Sequence, residues 1–165
     1  MKKLIFVRHG RAEDPTPVIS DFERSLTLKG KTISRLMARE LRGKENSMGI
    51  IITSPAFRAL ETAFIFAEEF EIAHEKIKIN SNLYYKMNFQ YLPELLSLVS
   101  EDEETITLFG HNPSFSEIAD SLCKEGCDFM PKSGVVGISF KITTWSDVRH
   151  NTGKMEYFLK PEKVL

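Results

Sequence analysis

Leu4-Ile5-Phe6-Val7-Arg8-His9-Gly10 is a short apolar run that breaks off into two basic residues and a glycine. Such a run reads as a buried strand that ends at a working surface. In open α/β sheets that surface, beyond the carboxyl ends of the strands, is where ligands bind. Arg8 and His9 there are either a nucleophile beside an anion clamp or a surface turn with two basic residues. The tripeptide alone does not separate these readings, so the remainder of the chain has to.

Outward from this strand, strand and helix patterns alternate. A polar loop with Pro15 and Pro17 leads to Thr27, a candidate cap, and from Leu28 to Leu41 the apolar residues Ile33, Leu36, Met37 and Leu41 keep helical spacing. Gly49–Thr53 reads as a second buried strand. Ser54-Pro55 then reads as an N-cap with proline at the first helical position, opening a helix to about Phe70. Ile77–Ile79 is a short third strand, followed by the aromatic segment Leu83-Tyr84-Tyr85 and a helix over Leu92–Val99 begun by Pro93. Thr105–Phe109 is a β-branched strand. Gly110-His111-Asn112-Pro113 turns into another helix, with Ser114 and Glu117 at capping-box spacing. Two strands, Val135–Ile142 and Met155–Leu159, close the chain around a polar turn at Asn151 and Gly153. The expected fold is α/β: a three-layer sandwich with a mostly parallel central sheet and helices on both faces.

Residues 1–165 read as a single domain, with no repeat, low-complexity stretch or linker. Hydrophobic residues make up 42% and charged residues 27%, as in ordinary soluble proteins. The formal net charge of −1 gives no global basic field for nucleic acid or an anionic membrane, so any anion binding is local. No apolar stretch approaches the roughly 20 residues of a membrane span, and the first run is too short for a signal peptide. A cytoplasmic location is the default expectation. Cys123 and Cys127, four positions apart at what reads as a helix end, lack the further ligands of a zinc site and read as reduced structural thiols.

Three of the expected strands end in residues suited to a phosphoryl group. The first ends in Arg8 and His9, the second leads to Arg58 in the first turn of its helix, and the fourth ends in Gly110-His111. Parallel strands bring their carboxyl ends to one edge, where helix N-termini add exposed N–H groups and a positive dipole end. Each residue alone has an ordinary explanation; Arg58 could be solvated on an amphipathic helix and His111 could sit in a turn. Their joint placement favours a local anion site. His74 and His150 lie in polar segments and read as surface residues.

Arg8-His9-Gly10, Ser54-Pro55-Ala56-Phe57-Arg58-Ala59-Leu60-Glu61-Thr62 and Gly110-His111-Asn112-Pro113 together resemble the three signatures of the histidine phosphatase superfamily. This is the phosphoglycerate mutase-like group, in its shorter branch. Asp21, Arg24, Leu26, Thr27 and Gly30 resemble the segment that leads into that family's first helix. Order, spacing and length are most similar to SixA-type phosphohistidine phosphatases, from Lys3 to about Leu122.

The resemblance implies a phosphoglycerate mutase-like fold and a catalytic set of His9, Arg8, Arg58 and His111. His9 would be the nucleophile, transiently phosphorylated on a ring nitrogen. Arg8, Arg58 and His111 would hold the phosphoryl oxygens, with Gly10 and Asn112 beside them as substrate-binding positions. No metal or other cofactor is implied. These roles agree with the chemistry of the side chains: a neutral imidazole is a competent nucleophile, and phosphoryl transfer needs alignment and charge stabilisation.

The phosphoglycerate mutases of the superfamily carry a glutamate after the third strand that protonates the leaving oxygen. The matching window here, Asn82-Leu83-Tyr84-Tyr85-Lys86, contains no carboxylate. Glu13, Asp14 and Glu94 lie elsewhere, and no motif places any of them. An alkoxide leaving group benefits greatly from a proton donor, whereas imidazole, with a conjugate-acid pKa of about 6.5, can leave phosphohistidine already protonated. The short segment before the fourth strand leaves little room for a lid, which suits an open site for a phosphorylated side chain. The expected activity is therefore phosphohistidine phosphatase on a phosphohistidine-bearing protein. A phosphomonoesterase or mutase for phosphorylated small molecules and a non-catalytic phosphate-binding module are the alternatives.

Overall fold

Alternating apolar residues build the centre of the molecule. In the computed structural model, which describes residues 1–85 and 87–163, β1 (Lys2–Arg8) turns Leu4 and Phe6 to one face of a sheet and Ile5 and Val7 to the other. All four are fully buried. A strand apolar on both faces belongs in the middle of a covered sheet.

The chain continues through α1 (Leu28–Arg42), β2 (Ile50–Thr53), α2 (Phe57–Glu69), β3 (Lys78–Ile79), α3 (Asn82–Tyr85), α4 (Leu92–Leu96), β4 (Thr105–Gly110), α5 (Ser114–Leu122), β5 (Val135–Phe140) and β6 (Gly153–Leu159). The strand order is β3-β2-β4-β1-β5-β6. The β3–β2, β2–β4 and β4–β1 pairs are parallel, and β5 runs antiparallel to both its neighbours. Met37, Leu41, Ala63 and Phe66 from α1 and α2 pack on one face. Leu83, Leu92, Leu95, Ile118 and Leu122 from α3, α4 and α5 pack on the other. This is the expected three-layer, mostly parallel α/β sandwich. Truncating a fully buried ring such as Phe6 or Phe109 to alanine costs about 3–5 kcal/mol in such a core.

Three local expectations are corrected. Ser54-Pro55 does not cap α2; the cap position is Ala56 and the helix starts at Phe57. The Ser54 hydroxyl oxygen accepts from the Ala56 N–H at 3.2 Å, ahead of the helix, and lies 2.8 Å from His111 Nε2. Ser114 and Glu117 form no capping box, because Ser114 is already helical and Pro113 holds the cap position. The Asn112 side-chain oxygen takes the Ser116 N–H at 3.2 Å, so one exposed donor of α5 is satisfied from another residue. Cys123 is extended rather than helical, so Cys123 and Cys127 share no helix face. Both are free thiols that burial pushes up, to about 12 and about 11.

Among the described residues no helix is long and apolar enough to cross a membrane. The segment between α2 and β4 buries Leu83, Leu92, Leu95 and Leu96 in the core.

Candidate active site

The register of the three adjacent parallel strands sets the site. Arg8 pairs with Gly110 and Thr53 with Phe109, so β1, β2 and β4 end level with one another. The residues that follow them therefore meet at one edge. His9 N–H donates to the Gly110 carbonyl at 3.0 Å, and Ser54 N–H donates to Phe109 at 2.9 Å. The His9 and His111 rings lie 5.1 Å apart.

His9 is 8% exposed, and its Nδ1 lies 2.7 Å from the Gly10 carbonyl. A carbonyl only accepts, so Nδ1 carries the proton and Nε2 keeps a free lone pair. Burial pushes the imidazole down to about 3, against the hydrogen bond to Gly10; the charges of His111, Arg58 and Arg8 push the same way as burial. His9 is therefore neutral throughout the physiological range.

The loop that carries His9 is pinned from three sides. Gly10 N–H donates to Thr62 Oγ1 at 3.0 Å, and that hydroxyl donates to the Arg58 carbonyl at 2.7 Å. Ser133 N–H donates to the His9 carbonyl at 3.2 Å, and Ser133 shares a 2.9 Å hydrogen bond with Ser34. A Cβ on Gly10 would stand 2.6 Å from Ser34 Oγ, which only a glycine avoids. Gly30 serves the same packing from α1: a Cβ there would stand 2.2 Å from the Arg11 carbonyl.

Arg58, in the first turn of α2, is 7% exposed. Its NH1 donates to the Asp21 carbonyl at 2.7 Å and its NH2 to Asp21 Oδ2 at 3.0 Å. Asp21 reaches it because the loop after His9 folds back on itself. Glu13 N–H donates to Ser25 at 2.8 Å and Thr27 N–H to Arg11 at 2.9 Å. Thr27 also caps α1, accepting from Gly30 N–H at 2.9 Å. The Asp21 carboxylate further accepts from Arg24 at 2.9 Å and from the Tyr84 hydroxyl at 2.7 Å. Burial opposes its ionisation, but the hydrogen bonds from Tyr84, Arg24 and Arg58 outweigh it and hold the carboxyl well below its usual range.

Arg8 NH1 donates to the Met130 carbonyl at 2.9 Å, and its guanidinium lies 5.2 Å from the Phe129 ring centre. Its Nε is buried and has no hydrogen-bond partner among the described residues. A buried unpaired donor on a cation is costly. His111 Nε2 lies 2.8 Å from Ser54 Oγ. Burial, with Arg58 and Arg8, pushes its imidazole down to about 4, against the opposing charge of Asp21.

All four expected catalytic residues, His9, Arg8, Arg58 and His111, thus gather at one edge. Gly10 and Asn112 are beside them, with their polar groups already engaged. The Asn112 side chain donates to Met130 at 3.0 Å and accepts from Ser116, so it ties the loop after α5 to the site. Glu13, Asp14 and Glu94 are exposed, and the carboxylate that reaches the site is Asp21. Sequence reasoning quoted Asp21, Ser54, Thr62 and Tyr84 without assigning them these contacts. The return of the loop onto Arg58 has no sequence period that could have signalled it. Lys86, the last residue of the window searched for an acid, lies outside the described residues.

Two neutral imidazoles, two arginines and one ionised carboxylate meet at this edge, a set with the cationic donors a tetrahedral anion requires and with one unprotonated ring nitrogen. The sequence model of the histidine phosphatase superfamily (branch 1) matches residues 4–83. An uncharacterized protein of Picosynechococcus is 29% identical over 139 residues, covering 82% of this chain and 84% of that one. Among solved structures, the protein histidine phosphatase SixA complexed with tungstate superposes with a TM-score of 0.83 at 21% identity, over 99% of both chains. A mycobacterial glucosyl-3-phosphoglycerate phosphatase with inorganic phosphate gives 0.66 at 13% identity, over 98% of this chain and 99% of that one.

Proposed function

Because the sequence model of the histidine phosphatase superfamily matches residues 4–83, we propose that the chain is a member of that superfamily, a metal-independent phosphatase acting on phosphohistidine carried by a protein, with His9 as nucleophile. The observation that carries the reading is the hydrogen bond of His9 Nδ1 to the Gly10 carbonyl at 2.7 Å, which leaves Nε2 unprotonated beside two arginines.

The reaction runs in two displacements. The Nε2 lone pair attacks phosphorus, and the bond from phosphorus to the substrate imidazole breaks. That imidazole leaves neutral when its other ring nitrogen already carries a proton. Water then attacks phosphorylated His9, releasing inorganic phosphate and restoring the imidazole. Arg8 and Arg58 steady the equatorial oxygens, and His111 adds a further donor once it is protonated. Gly10 and Asn112 act through the loops they hold.

The substrate class rests on the leaving group. Asp21 is ionised and already accepts from Arg58, Arg24 and Tyr84, so it is poorly suited to give a proton to an alkoxide. Phosphohistidine does not demand that proton. The likeness to the protein histidine phosphatase SixA agrees with this preference. The likeness to a glucosyl-3-phosphoglycerate phosphatase favours the second reading, a phosphorylated small molecule.

The test is a substrate panel with a trap. Phosphohistidine peptide should be hydrolysed faster than sugar and glycerate phosphates. The quenched enzyme should carry acid-labile phosphate that His9→Ala lacks. Preference for the metabolites would replace the first reading by the second, and undiminished turnover in His9→Ala would remove the nucleophile assignment.

A further inference from the structure

One wall of the site is aromatic, and Phe22, Phe57 and Tyr84 each adjoin Asp21, Arg58 or His111 in the chain or in space. Phe22 follows Asp21 and Phe57 precedes Arg58 in the chain, and their ring centres are 5.9 Å apart. Tyr84 meets Phe22 edge to face at 5.4 Å and His111 edge to face at 5.5 Å. Tyr85 extends the row, 4.7 Å from Tyr84. Phe57 and Tyr85 are 40% and 69% exposed, so the outer part of this row faces solvent beside the anion clamp.

Tyr84 is the ring that touches the clamp. Its hydroxyl is committed to Asp21 Oδ2 at 2.7 Å, which fixes the ring against His111. With that proton donated, Tyr84, Phe22 and Phe57 present ring faces and edges to the clamp, and the one hydroxyl of the row left uncommitted among the described residues is that of Tyr85 at its outer, solvent-facing end. A polyol pressed against those three rings would lose water without gaining hydrogen bonds. A planar ring would gain edge-to-face or offset contacts.

We propose that Tyr84 is a specificity-determining residue, whose ring receives the imidazole of phosphohistidine and disfavours aliphatic phosphate esters. This rests on the phosphatase reading above and deepens it. Tyr84 transfers no proton and forms no bond to substrate; it acts by packing against the ring from which the phosphoryl group departs.

The experiment compares kcat/KM for one peptide bearing phosphohistidine and the same peptide bearing phosphoserine, in wild type, Tyr84→Phe and Tyr84→Leu. Tyr84→Phe keeps the ring and loses the bond to Asp21; Tyr84→Leu loses both. Tyr84→Phe should keep the wild-type preference for phosphohistidine. Tyr84→Leu should cut that preference about two- to twelve-fold, the span of one aromatic pair contact. Tungstate affinity, measured alongside, should move equally in both variants if the clamp itself is disturbed.

An unchanged preference in Tyr84→Leu overturns the proposal. So does an equal loss in Tyr84→Phe, which would assign the effect to the hydroxyl and Asp21. If wild type hydrolyses neither peptide, the phosphohistidine reading fails separately. Aryl and alkyl phosphates then replace the peptides, and the same comparison of variants decides the role of the ring.

Discussion

Binding of a dianion should draw a proton onto His111. In the free protein its imidazole is pushed down to about 4 by burial, Arg58 and Arg8, so it is neutral at pH 7. A tetrahedral oxyanion about 4 Å away, at an effective dielectric of about 20, attracts an imidazolium by about 4 kcal/mol per unit of anionic charge. At 1.36 kcal/mol per pKa unit, one net charge left after the arginines raises the imidazole by about three units, to about 7. A dianion only partly neutralised by the arginines raises it further. His9 starts near 3 and the same rise leaves it mostly neutral at pH 7.

Tungstate is the right ligand because it is a dianion across the neutral range and does not itself titrate there. Isothermal titration at pH 7, in buffers of different ionisation enthalpy, reads proton uptake as the slope of observed against buffer enthalpy. Wild type should take up between one half and one proton, and His111→Gln close to none. The sign follows by linkage: the complex binds a proton that the free protein does not. Affinity therefore falls as pH rises from about 5 towards the raised value, by up to about ten-fold per unit. A zero slope in wild type, or the same slope in His111→Gln, would refute this account of the site's charge.

Other perturbations test the framework around the clamp. Ser54→Ala removes the 2.8 Å partner of His111 Nε2; losing about 1 kcal/mol of orientation should lower kcat/KM about five-fold, and steady-state kinetics with an unchanged value would dismiss Ser54 as a positioning residue. Gly10→Ala puts a Cβ 2.6 Å from Ser34 Oγ and 3.2 Å from the Gly30 carbonyl; it should cost about 1–3 kcal/mol in urea unfolding, and full stability would show that the loop is not confined there. Acid should weaken the unliganded fold, because His9 and His111 sit near 3 and 4 when folded and near 6.5 when unfolded. The unfolded chain then binds more protons, so stability falls from about pH 6.5 towards pH 4, by at most about 1.4 kcal/mol per unit for each histidine. Urea midpoints that do not drop between pH 7 and pH 5 would contradict the buried neutral state of both rings.

The legible parts of this protein are those whose signal is local. β1, β2 and β4 are buried on both faces, so each reads as an apolar run, and their ends were found within one or two residues. Arg8, His9, Arg58 and His111 stood out jointly, because each has an ordinary explanation alone but parallel strands bring their carboxyl ends, and the residues just beyond them, to one edge. The caps were misread where a side chain had a better partner far away. Ser54 looks like an N-cap from its neighbours, but its hydroxyl oxygen accepts from the Ala56 N–H, ahead of the helix, and lies 2.8 Å from His111 Nε2, 57 positions later. Ser114 looks like a capping-box serine, but Asn112 supplies the acceptor to Ser116.

What the amino-acid sequence determined by itself was the α/β class and the residues that gather at one sheet edge, since apolar periodicity and parallel strand ends are properties of short segments. What only the tertiary structure decided was the state of those residues. The proton on His9 Nδ1 follows from a carbonyl 2.7 Å away, the neutrality of both histidines from burial among arginines, and the anchoring of Arg58 from Asp21, 37 positions earlier. Hydrogen bonds and charges act over a few ångströms in space, and no spacing along the chain encodes which distant groups the fold will bring that close.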